Sequence, residues 1–324
     1  MVESPLFTCR SGGIGRRAGF KIRFPFREYG FESHLRYCRC AKYSFKFNKA
    51  CLVRFLGLTV YDADMKIAVI IPAAGKSTRY GEKDKLAEDL GGRPLLIRTV
   101  EFFTKREEIA QIIVVGPSQS FDSFKERFGP ALSFHGVLIV KGGDTRCDSV
   151  KQGIAVVEDE IDRIAVHDGA RPALSNTLFE TILLAAKELD AVAAATPISG
   201  TVKRTKTAKK TIGDEDDIAD AIFGGAGKAT VDAFEVEQTL DRTGLWELQT
   251  PQIFEPTLLK RAYNQIEGMQ ATDDAQLVEE LGEVVHLVQG ESRNIKVTTK
   301  SDLFMVKAML GVKAPSERAP HKRF

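Results

Sequence analysis

Short apolar runs alternate with segments of helical periodicity from Lys66 onwards. KIAVII, at Lys66 to Ile71, is a short apolar run, and PLLIRTVEFFTK, which starts at Pro94, has its apolar residues at helical spacing. Proline suits the first turn of a helix, because the N–H that it lacks has no partner there in any case. The two segments therefore predict a strand followed by a helix.

The same cycle of strand and helix recurs along the chain as far as about residue 200. Alternation of this kind is typical of a largely parallel sheet with helices on both faces. We therefore expect an α/β protein with a doubly wound, mostly parallel, Rossmann-like sheet, in which ligands bind beyond the carboxyl ends of the strands. The predicted strands are 112–115, 136–140, 163–167 and AVAAAT, and the predicted helices lie around 121–128, 145–157 and 177–189.

The alternation is interrupted between Thr201 and Leu245. TVKRTKTAKKT, which starts at Thr201, is β-prone and cationic, and acidic and glycine-rich stretches then break the pattern. We interpret residues 201–245 as a protruding β-arm and expect residues 313–324 to be a disordered tail. Between them the pattern predicts the strand TPQIF, helices at 255–266 and 273–281, the strands EVVHLV and NIKVTT, and a closing helix at 301–310.

Residues 1–64 show neither the strand period nor the helix period. Arginine, phenylalanine and glycine are interleaved there, and GGIGRRAGFKIRFPFREYGFESHLR resembles the conceptual translation of a transfer-RNA gene. We interpret 1–64 as a non-native or disordered extension and Met65 as the true start. The alternatives are a transit peptide, with which Glu3, Glu28 and Glu32 fit poorly, and an RNA-binding arm that mixes cations with aromatic residues.

The composition excludes several classes of protein. The 46 Lys and Arg residues nearly balance the 44 Asp and Glu residues, so the chain lacks the basic field of a protein that holds nucleic acid nonspecifically. There is no apolar run of about 18 residues to span a membrane. Four of the five cysteines lie before residue 65, which is typical of a reducing compartment and not of a disulfide framework. We expect a cytoplasmic protein with no nucleic-acid or membrane partner.

The segment after the first predicted strand, IPAAGKSTRYGEKDK, combines small residues with cations. Small residues let the backbone approach a phosphate closely, and Lys76, Arg79, Lys83 and Lys85 supply positive charge. The GKST tetrapeptide argues only weakly for a P-loop NTPase, because that motif needs a glycine where this chain has Ile70. The segment predicts a polyphosphate site, and its alternative is a glycine turn before a solvated basic helix face.

Two further polar segments follow later predicted strands. GGDTRCDSV, at Gly142 to Val150, places glycines and an aspartate before a helix, where the backbone suits a base or a ribose, although a helix cap has the same pattern. HDGARP places Asp168 directly after a strand, where a carboxylate suits Mg²⁺ whose coordination phosphates complete. We interpret His167 as structural, because no second histidine or cysteine lies near it at metal-ligand spacing.

In their order and spacing these motifs resemble the 2-C-methyl-D-erythritol 4-phosphate cytidylyltransferase family. The resemblance implies a nucleotidyltransferase fold and a homodimer that uses Mg²⁺ to transfer CMP from CTP to 2-C-methyl-D-erythritol 4-phosphate, in isoprenoid precursor biosynthesis. A ribitol 5-phosphate cytidylyltransferase and an inactive nucleotide-binding regulatory protein stay open as alternatives. The resemblance covers Lys66 to about Val312 and is carried by PAAGKSTR, Lys85, GGDTRCDSV, HDGARP, TVKR, DRTGLWELQTPQ, TDDA and NIKVT.

The resemblance also implies a role for individual residues. Arg242 is expected to reach the site from the arm of the partner subunit, Asp168 to bind the metal as well as the substrate, and Lys296 to lie inside the last strand. Thr250 and Thr272 have a turn and a helix cap as alternatives. The implied catalytic residues are Arg79, Lys85, Lys296 and Arg242; the nucleotide-binding residues are Pro72, Ala73, Ala74, Gly75, Gly143, Asp144, Ser149 and Gly169; and the substrate-binding residues are Asp168, Arg171, Thr201, Thr250 and Thr272.

Two features depart from the family pattern. Ser77 stands where many relatives have a second glycine in the phosphate-binding loop. The stretch between Lys203 and Arg242 is longer than is usual in the family, and it falls inside the arm that shapes the dimer. The added length therefore bears on the geometry of the arm and on the reach of Arg242.

Overall fold

The computed structural model describes residues 65–75, 80–81, 84–212, 231–265 and 271–312. The chain divides into two units between Tyr61 and Asp62, and all described residues belong to the second unit. The predicted extension 1–64 and the predicted tail 313–324 lie outside the described residues, so the domain boundaries stay a prediction. Within the described ranges, every helix is too short or too polar to cross a membrane.

Most of the described strands form one mixed sheet. The strands are β1 (Ile67–Pro72), β2 (Ile109–Gly116), β3 (Leu138–Lys141), β4 (Arg163–Val166), β5 (Ala191–Pro197), β6 (Val202–Ile212), β7 (Val231–Leu240), β8 (Trp246–Phe254) and β9 (His286–Gln289). Seven of them pair in the order β3-β2-β1-β4-β8-β5-β9. All neighbours are parallel except β8, which runs antiparallel to β4 and to β5. The mostly parallel, doubly wound sheet predicted from the sequence is confirmed.

Five of the seven described α-helices begin after a residue whose side chain accepts a hydrogen bond from the first turn. The described helices are α1 (Leu95–Phe103), α2 (Phe121–Phe134), α3 (Arg146–Ile154), α4 (Asn176–Ala186), α5 (Pro256–Asn264), α6 (Asp274–Glu279) and α7 (Lys300–Met309), with a short 3-10 helix at Lys85–Ala87. Thr145 and Asp148 form a capping box at the start of α3, and Thr299 and Asp302 form another at the start of α7. Pro94 directly precedes α1.

The helix α2 is longer than the sequence pattern predicts. The prediction ends near residue 128, but the helix continues through Pro130 to Phe134. A proline inside a helix removes one backbone hydrogen bond and usually ends the helix. Here the buried side chains of Phe128 and Leu132 hold the final turns against the sheet, because both pack in the main hydrophobic cluster.

Hydrophobic clusters cover both faces of the sheet. Successive side chains of a strand point to opposite faces, so a strand that is apolar at every position is buried on both sides. In β1, Ile67, Val69 and Ile71 join one cluster, which includes residues of α1, α2, α4 and α7. Ala68 and Ile70 join the other, which includes residues of α3, α5 and α6. This packing buries β1 inside the second unit, and the carboxyl ends of β1 and of its parallel neighbours β2 and β4 lie on the same side of the sheet.

The strands β6 and β7 form a separate antiparallel ribbon at the position of the predicted arm. Residues 213–230, which contain most of the added length, lie outside the described residues. Several large apolar side chains of the ribbon are exposed, namely Ile212, Val231, Phe234 and Val236. The ribbon therefore presents apolar surface that the described part of the chain does not cover.

The segment NIKVTT is not a strand, so the prediction that places Lys296 inside the last strand is wrong. Residues 294–298 adopt no regular structure, and β9 ends at Gln289. The N–H of Val297 donates to Ala170 O over 2.8 Å, and Asn294 Nδ2 donates to Thr250 O over 2.8 Å. The β-prone composition of this segment misled the prediction, because contacts with the loop after β4 and with β8 replace a strand ladder.

Candidate active site

A cavity of about 980 Å³ lies at the carboxyl ends of four neighbouring strands. Its wall includes 72–75 after β1, 117–120 after β2, 143–146 after β3 and 168–170 after β4. From β1 the chain moves outward to β2 and β3, and it then returns to β4 on the other side of β1. The crevice where the strand order reverses is the usual ligand site of such sheets. The loops that the sequence analysis selected therefore meet at one site.

Most of the site residues predicted from the sequence line this cavity. All the residues assigned to the nucleotide are among them, together with three of the charged residues assigned to catalysis or metal binding. Arg79 lies outside the described residues. The predicted residues in the cavity wall are Pro72, Ala73, Ala74, Gly75, Gly143, Asp144, Ser149, Gly169, Lys85, Asp168 and Lys296.

The loop between β3 and α3 begins with two glycines, Gly142 and Gly143, and neither can be replaced by a residue with a Cβ. A Cβ at Gly142 would lie 2.6 Å from Gly116 O, and a Cβ at Gly143 would lie 2.3 Å from Asp148 Cβ. Neither approach is possible without moving the backbone or the first turn of the helix. The glycines therefore allow the loop to pass close to β2 and to the start of α3, where Gly143 lines the cavity.

Lys85 is held at the cavity by a short capped helix. It is the first residue of the 3-10 helix, whose cap, Asp84, accepts a hydrogen bond from Leu86 N over 3.0 Å. The other carboxylate oxygen of Asp84 lies 3.2 Å from a guanidinium nitrogen of Arg127 on α2. Arg127 also lines the cavity, although the sequence analysis did not select it. No local motif marks Arg127, because it approaches Asp84 only through the tertiary fold.

Asp168 is a buried carboxylate between two cations. Only 8% of the residue is exposed, and Oδ2 lies 3.0 Å from Lys296 Nζ and 3.1 Å from Arg171 Nε. Burial alone raises the pKa of a carboxyl group. Lys296, Arg171 and, beyond them, Arg146 outweigh that effect and hold the pKa of Asp168 well below its usual range. Asp168 is therefore ionised at neutral pH.

A buried hydrogen-bond relay fixes the backbone at Asp168. The N–H of Asp168 donates to Thr250 Oγ1 over 3.0 Å, and that hydroxyl lies 3.1 Å from His167 Nδ1. His167 Nε2 lies 3.1 Å from Arg171 O, a carbonyl that can only accept, so Nε2 carries the proton and Nδ1 accepts from Thr250. Burial lowers the pKa of His167 to about 4. The histidine is neutral and fully bonded, as expected of a structural residue.

Replacing Thr250 by valine tests this relay. The change keeps the shape of the side chain but leaves the N–H of Asp168 and Nδ1 of His167 without the hydroxyl that each contacts. We expect the free energy of unfolding to fall by about 1–3 kcal/mol, measured by urea denaturation. The matched control is Thr181→Val on the exposed face of α4, which is expected to change it by less than about 0.5 kcal/mol. Equal effects of the two substitutions would contradict the relay.

Arg171 and Thr250, assigned to the substrate, do not line the cavity. Arg171 is 8% exposed, and besides its contact with Asp168 it donates to Asn294 O over 2.7 Å. Thr250 is 4% exposed and takes part in the relay. Both residues therefore act on the site through Asp168 and through the segment that carries Lys296.

Three other predicted site residues are exposed and lie outside the cavity wall. Thr201 directly precedes β6, and the guanidinium of Arg242 donates to Ser199 O at the base of the arm. Thr272 contacts Gln276 Oε1 over 3.2 Å, but Asp273 is the residue that caps α6. The helix-cap alternative for Thr272 is therefore wrong, and the single described chain does not bring these residues into the cavity.

Asp168 is suited to a magnesium ion that phosphates share. Within the described ranges, no group of three or more His, Cys, Asp or Glu side chains is placed to hold a metal ion by itself. Magnesium bound together with substrate phosphates needs only one or two carboxylates. The buried, ionised carboxylate of Asp168 in the cavity wall fits that kind of site and does not fit an all-protein metal cage.

Comparison with known proteins finds one family across the cavity-bearing unit. The family model for 2-C-methyl-D-erythritol 4-phosphate cytidylyltransferase matches residues 67–222 and 215–312. The chain is similar to the 2-C-methyl-D-erythritol 4-phosphate cytidylyltransferase of Bacillus pumilus (strain SAFR-032), with 35% identity over 251 residues, 76% of this chain and 97% of that protein. It is 37% identical over 247 residues to that of Endomicrobium trichonymphae, 76% of this chain and 99% of that protein.

Solved structures give the same result. The crystal structure of 2-C-methyl-D-erythritol 4-phosphate cytidylyltransferase from Thermus thermophilus superposes with a TM-score of 0.57 and 29% identity, covering 76% of this chain and 100% of that chain. That of 4-diphosphocytidyl-2C-methyl-D-erythritol synthase from Anaerococcus prevotii DSM 20548 gives 0.58 and 29%, covering 76% and 99%. The similarity extends over nearly the whole of each relative.

Proposed function

This chain belongs to the 2-C-methyl-D-erythritol 4-phosphate cytidylyltransferase family, and from that premise we propose the roles of its site residues. It is a nucleotidyltransferase that transfers CMP from CTP to 2-C-methyl-D-erythritol 4-phosphate, in isoprenoid precursor biosynthesis. The observation that supports the residue roles is the meeting of Lys85, Lys296 and Asp168 with two glycine-containing loops in one cavity.

The reaction requires charge compensation and does not require a general base. A phosphate oxygen of the alcohol phosphate attacks the α-phosphorus of CTP, a new P–O bond forms, and pyrophosphate leaves. The attacking oxygen is already anionic, so no side chain has to remove a proton from it. The barrier comes from bringing anions together, and cations and backbone donors that are fixed in advance lower it.

The cavity supports a division of roles between the two substrates. The small residues at 72–75 let the backbone approach the triphosphate, while Gly143, Asp144, Ser149 and Gly169 are assigned to the nucleoside side. Lys85 and Lys296 supply positive charge at the reacting phosphates, and Arg79 is proposed to act with them. Because Lys296 contacts Asp168, its ammonium group is held in place before substrates bind.

We propose Mg²⁺ as the cofactor and Asp168 as its protein ligand. Bound there with the CTP phosphates, the ion would neutralise phosphate charge. Arg171 and Lys296 hold the Asp168 carboxylate in position, and they keep it ionised without the ion. The relay through Thr250 fixes the backbone of the same residue. The chain therefore provides a rigid single-carboxylate ligand.

We also propose that the enzyme is a cytoplasmic homodimer joined through the arm. The exposed apolar side chains of the ribbon, including Phe234 and Val236, support an interface there. In the dimer, Arg242 and Thr201 would complete the alcohol-phosphate side together with Thr272, since in the single described chain these three residues lie outside the cavity wall.

Pyrophosphate release tests the substrate assignment. We expect CTP-dependent release with 2-C-methyl-D-erythritol 4-phosphate, and a lower kcat/KM with ribitol 5-phosphate as the matched alternative acceptor. A higher kcat/KM for ribitol 5-phosphate would overturn the choice of acceptor. Absence of release with both acceptors would favour the inactive regulatory protein instead.

A shortened chain that starts at Met65 tests the interpretation of residues 1–64. Because the family match begins at residue 67, we expect the shortened chain and the full chain to have the same kcat and KM for both substrates. A loss of activity in the shortened chain would show that the first segment contributes to the enzyme.

A further inference from the structure

Arg146 and Asp274 join two parts of the site that are 128 residues apart in the sequence. Arg146 is the first residue of α3 and Asp274 is the first residue of α6. The guanidinium donates to both carboxylate oxygens, NH1 to Oδ1 over 3.0 Å and NH2 to Oδ2 over 2.6 Å. Two parallel bonds of this kind fix the orientation of an arginine side chain as well as its position.

Asp274 does not serve as the cap of its helix. Asp273 already caps α6, accepting from Gln276 N over 2.9 Å. Asp274 is completely buried, and a buried carboxylate is costly unless partners satisfy it. The two acids of the TDDA motif therefore have different roles: Asp273 caps α6, and Asp274 holds the guanidinium of Arg146.

Tyr263 is a second hydrogen-bond partner of Asp274. Its hydroxyl donates to Asp274 Oδ1, and Tyr263 is 3% exposed and does not line the cavity. Burial and the adjacent Asp274 raise the pKa of Tyr263, so the hydroxyl keeps its proton. The hydrogen bond of Tyr263 goes to the carboxylate, so a change of Tyr263 leaves both Arg146–Asp274 bonds in place.

Arg146 faces the substrates as well as Asp274. Its side chain is 27% exposed and lines the cavity beside Gly143 and Asp144. Burial lowers the pKa of Arg146, but the Asp274 carboxylate more than offsets that effect, so the charge is retained. A guanidinium has five N–H donors, and the pair with Asp274 occupies only two of them. The other three N–H donors can bind a phosphate in the cavity.

We propose that Arg146 binds the phosphate group of the alcohol phosphate, and that Asp274 is the positioning residue that aims it. The choice of this substrate over CTP rests on the proposed function, in which Thr272, two residues before Asp274, belongs to the alcohol-phosphate side. Arg171, also assigned to that substrate, is engaged with Asp168 and with a backbone carbonyl and lies outside the cavity wall. Arg146 supplies the cation that Arg171 does not present there.

Asp274→Asn keeps the size of the side chain and removes the charge that orients Arg146. We expect the KM for 2-C-methyl-D-erythritol 4-phosphate to rise by about 10- to 100-fold, with a change in the CTP KM of less than about threefold. Calorimetric titration with the alcohol phosphate alone is expected to show the same loss of affinity without turnover. Arg146→Lys keeps the charge but cannot make two parallel bonds, and we expect it to raise the same KM.

Tyr263→Phe is the matched structural control. It removes one hydrogen bond to Asp274 but leaves the ion pair, so we expect a lower melting temperature with both KM values within about threefold of the wild type. Wild-type KM and affinity for the alcohol phosphate in Asp274→Asn and Arg146→Lys would overturn the inference, as would an equal rise in the CTP KM. A wild-type enzyme without turnover would instead refute the proposed function, and the calorimetric comparison would still decide whether Arg146 binds the alcohol phosphate.

Discussion

Lys85→Ala is expected to lower kcat by about 10²- to 10³-fold while the fold survives. Lys85 lies in the cavity wall at the start of a short helix, where its ammonium group can meet charge that develops on the transferred phosphate. Removing one such contact typically costs about 3 kcal/mol of transition-state stabilisation. The cap of the helix is the side chain of Asp84, which the substitution leaves intact.

The measurement is steady-state pyrophosphate release, together with the thermal unfolding of the wild type, of Lys85→Ala and of a control variant. Lys151→Ala is the matched control, because Lys151 is an exposed lysine of α3 outside the cavity wall. We expect wild-type kcat in the control and an unchanged melting temperature in both variants. Unchanged turnover in Lys85→Ala would remove its catalytic role, and unfolding of that variant would make Lys85 a structural residue.

Asp168→Asn is expected to lower turnover by about 10²-fold and to raise the Mg²⁺ concentration for half-maximal activity by about tenfold or more. An amide of the same shape cannot neutralise Lys296 and Arg171, both of which contact Oδ2 of Asp168. It is also a weaker ligand for a hard cation. Removing one partner of a buried ion pair is destabilising, so we also expect a lower melting temperature.

The metal titration separates the two contributions of Asp168. A structural role alone would lower stability and leave the magnesium dependence of turnover unchanged. Asp159→Asn provides the control, because Asp159 is an exposed carboxylate just before β4. A wild-type magnesium titration curve in Asp168→Asn would contradict metal ligation, whereas wild-type turnover would contradict any role of Asp168 in the reaction.

The sequence predicted Asp168 at the site because it directly follows an apolar strand. It predicted Lys85 there because that residue belongs to the basic segment after the first strand. It also predicted Lys296 at the site but placed it wrongly in a strand, since the β-prone composition of NIKVTT suggests a strand, and only the contacts of Asn294 and Val297 show otherwise. Arg146 stood inside a recognised motif. Its task could not be assigned, because its partner, Asp274, follows it by 128 residues.

The sequence by itself determined most of the local structure of this protein, apart from the end of α2 and the segment NIKVTT. The apolar runs, the helical spacing and the capping residues such as Thr145 and Thr299 act over a few residues, so their consequences can be calculated from neighbours along the chain. The order of the motifs also determined the family. These features fixed the alternation of strands and helices and the loops at which a ligand would bind.

Only the tertiary structure decided which charges meet. The contacts of Asp168 with Lys296, of Asp84 with Arg127 and of Arg146 with Asp274 join residues from different loops and helices. Their formation depends on how the helices pack on the two faces of the sheet and on which groups become buried, and a sequence pattern carries no distance between such elements. Burial makes a partner necessary for the carboxylates of Asp168 and Asp274, because an unpaired charge inside the protein is too costly to keep.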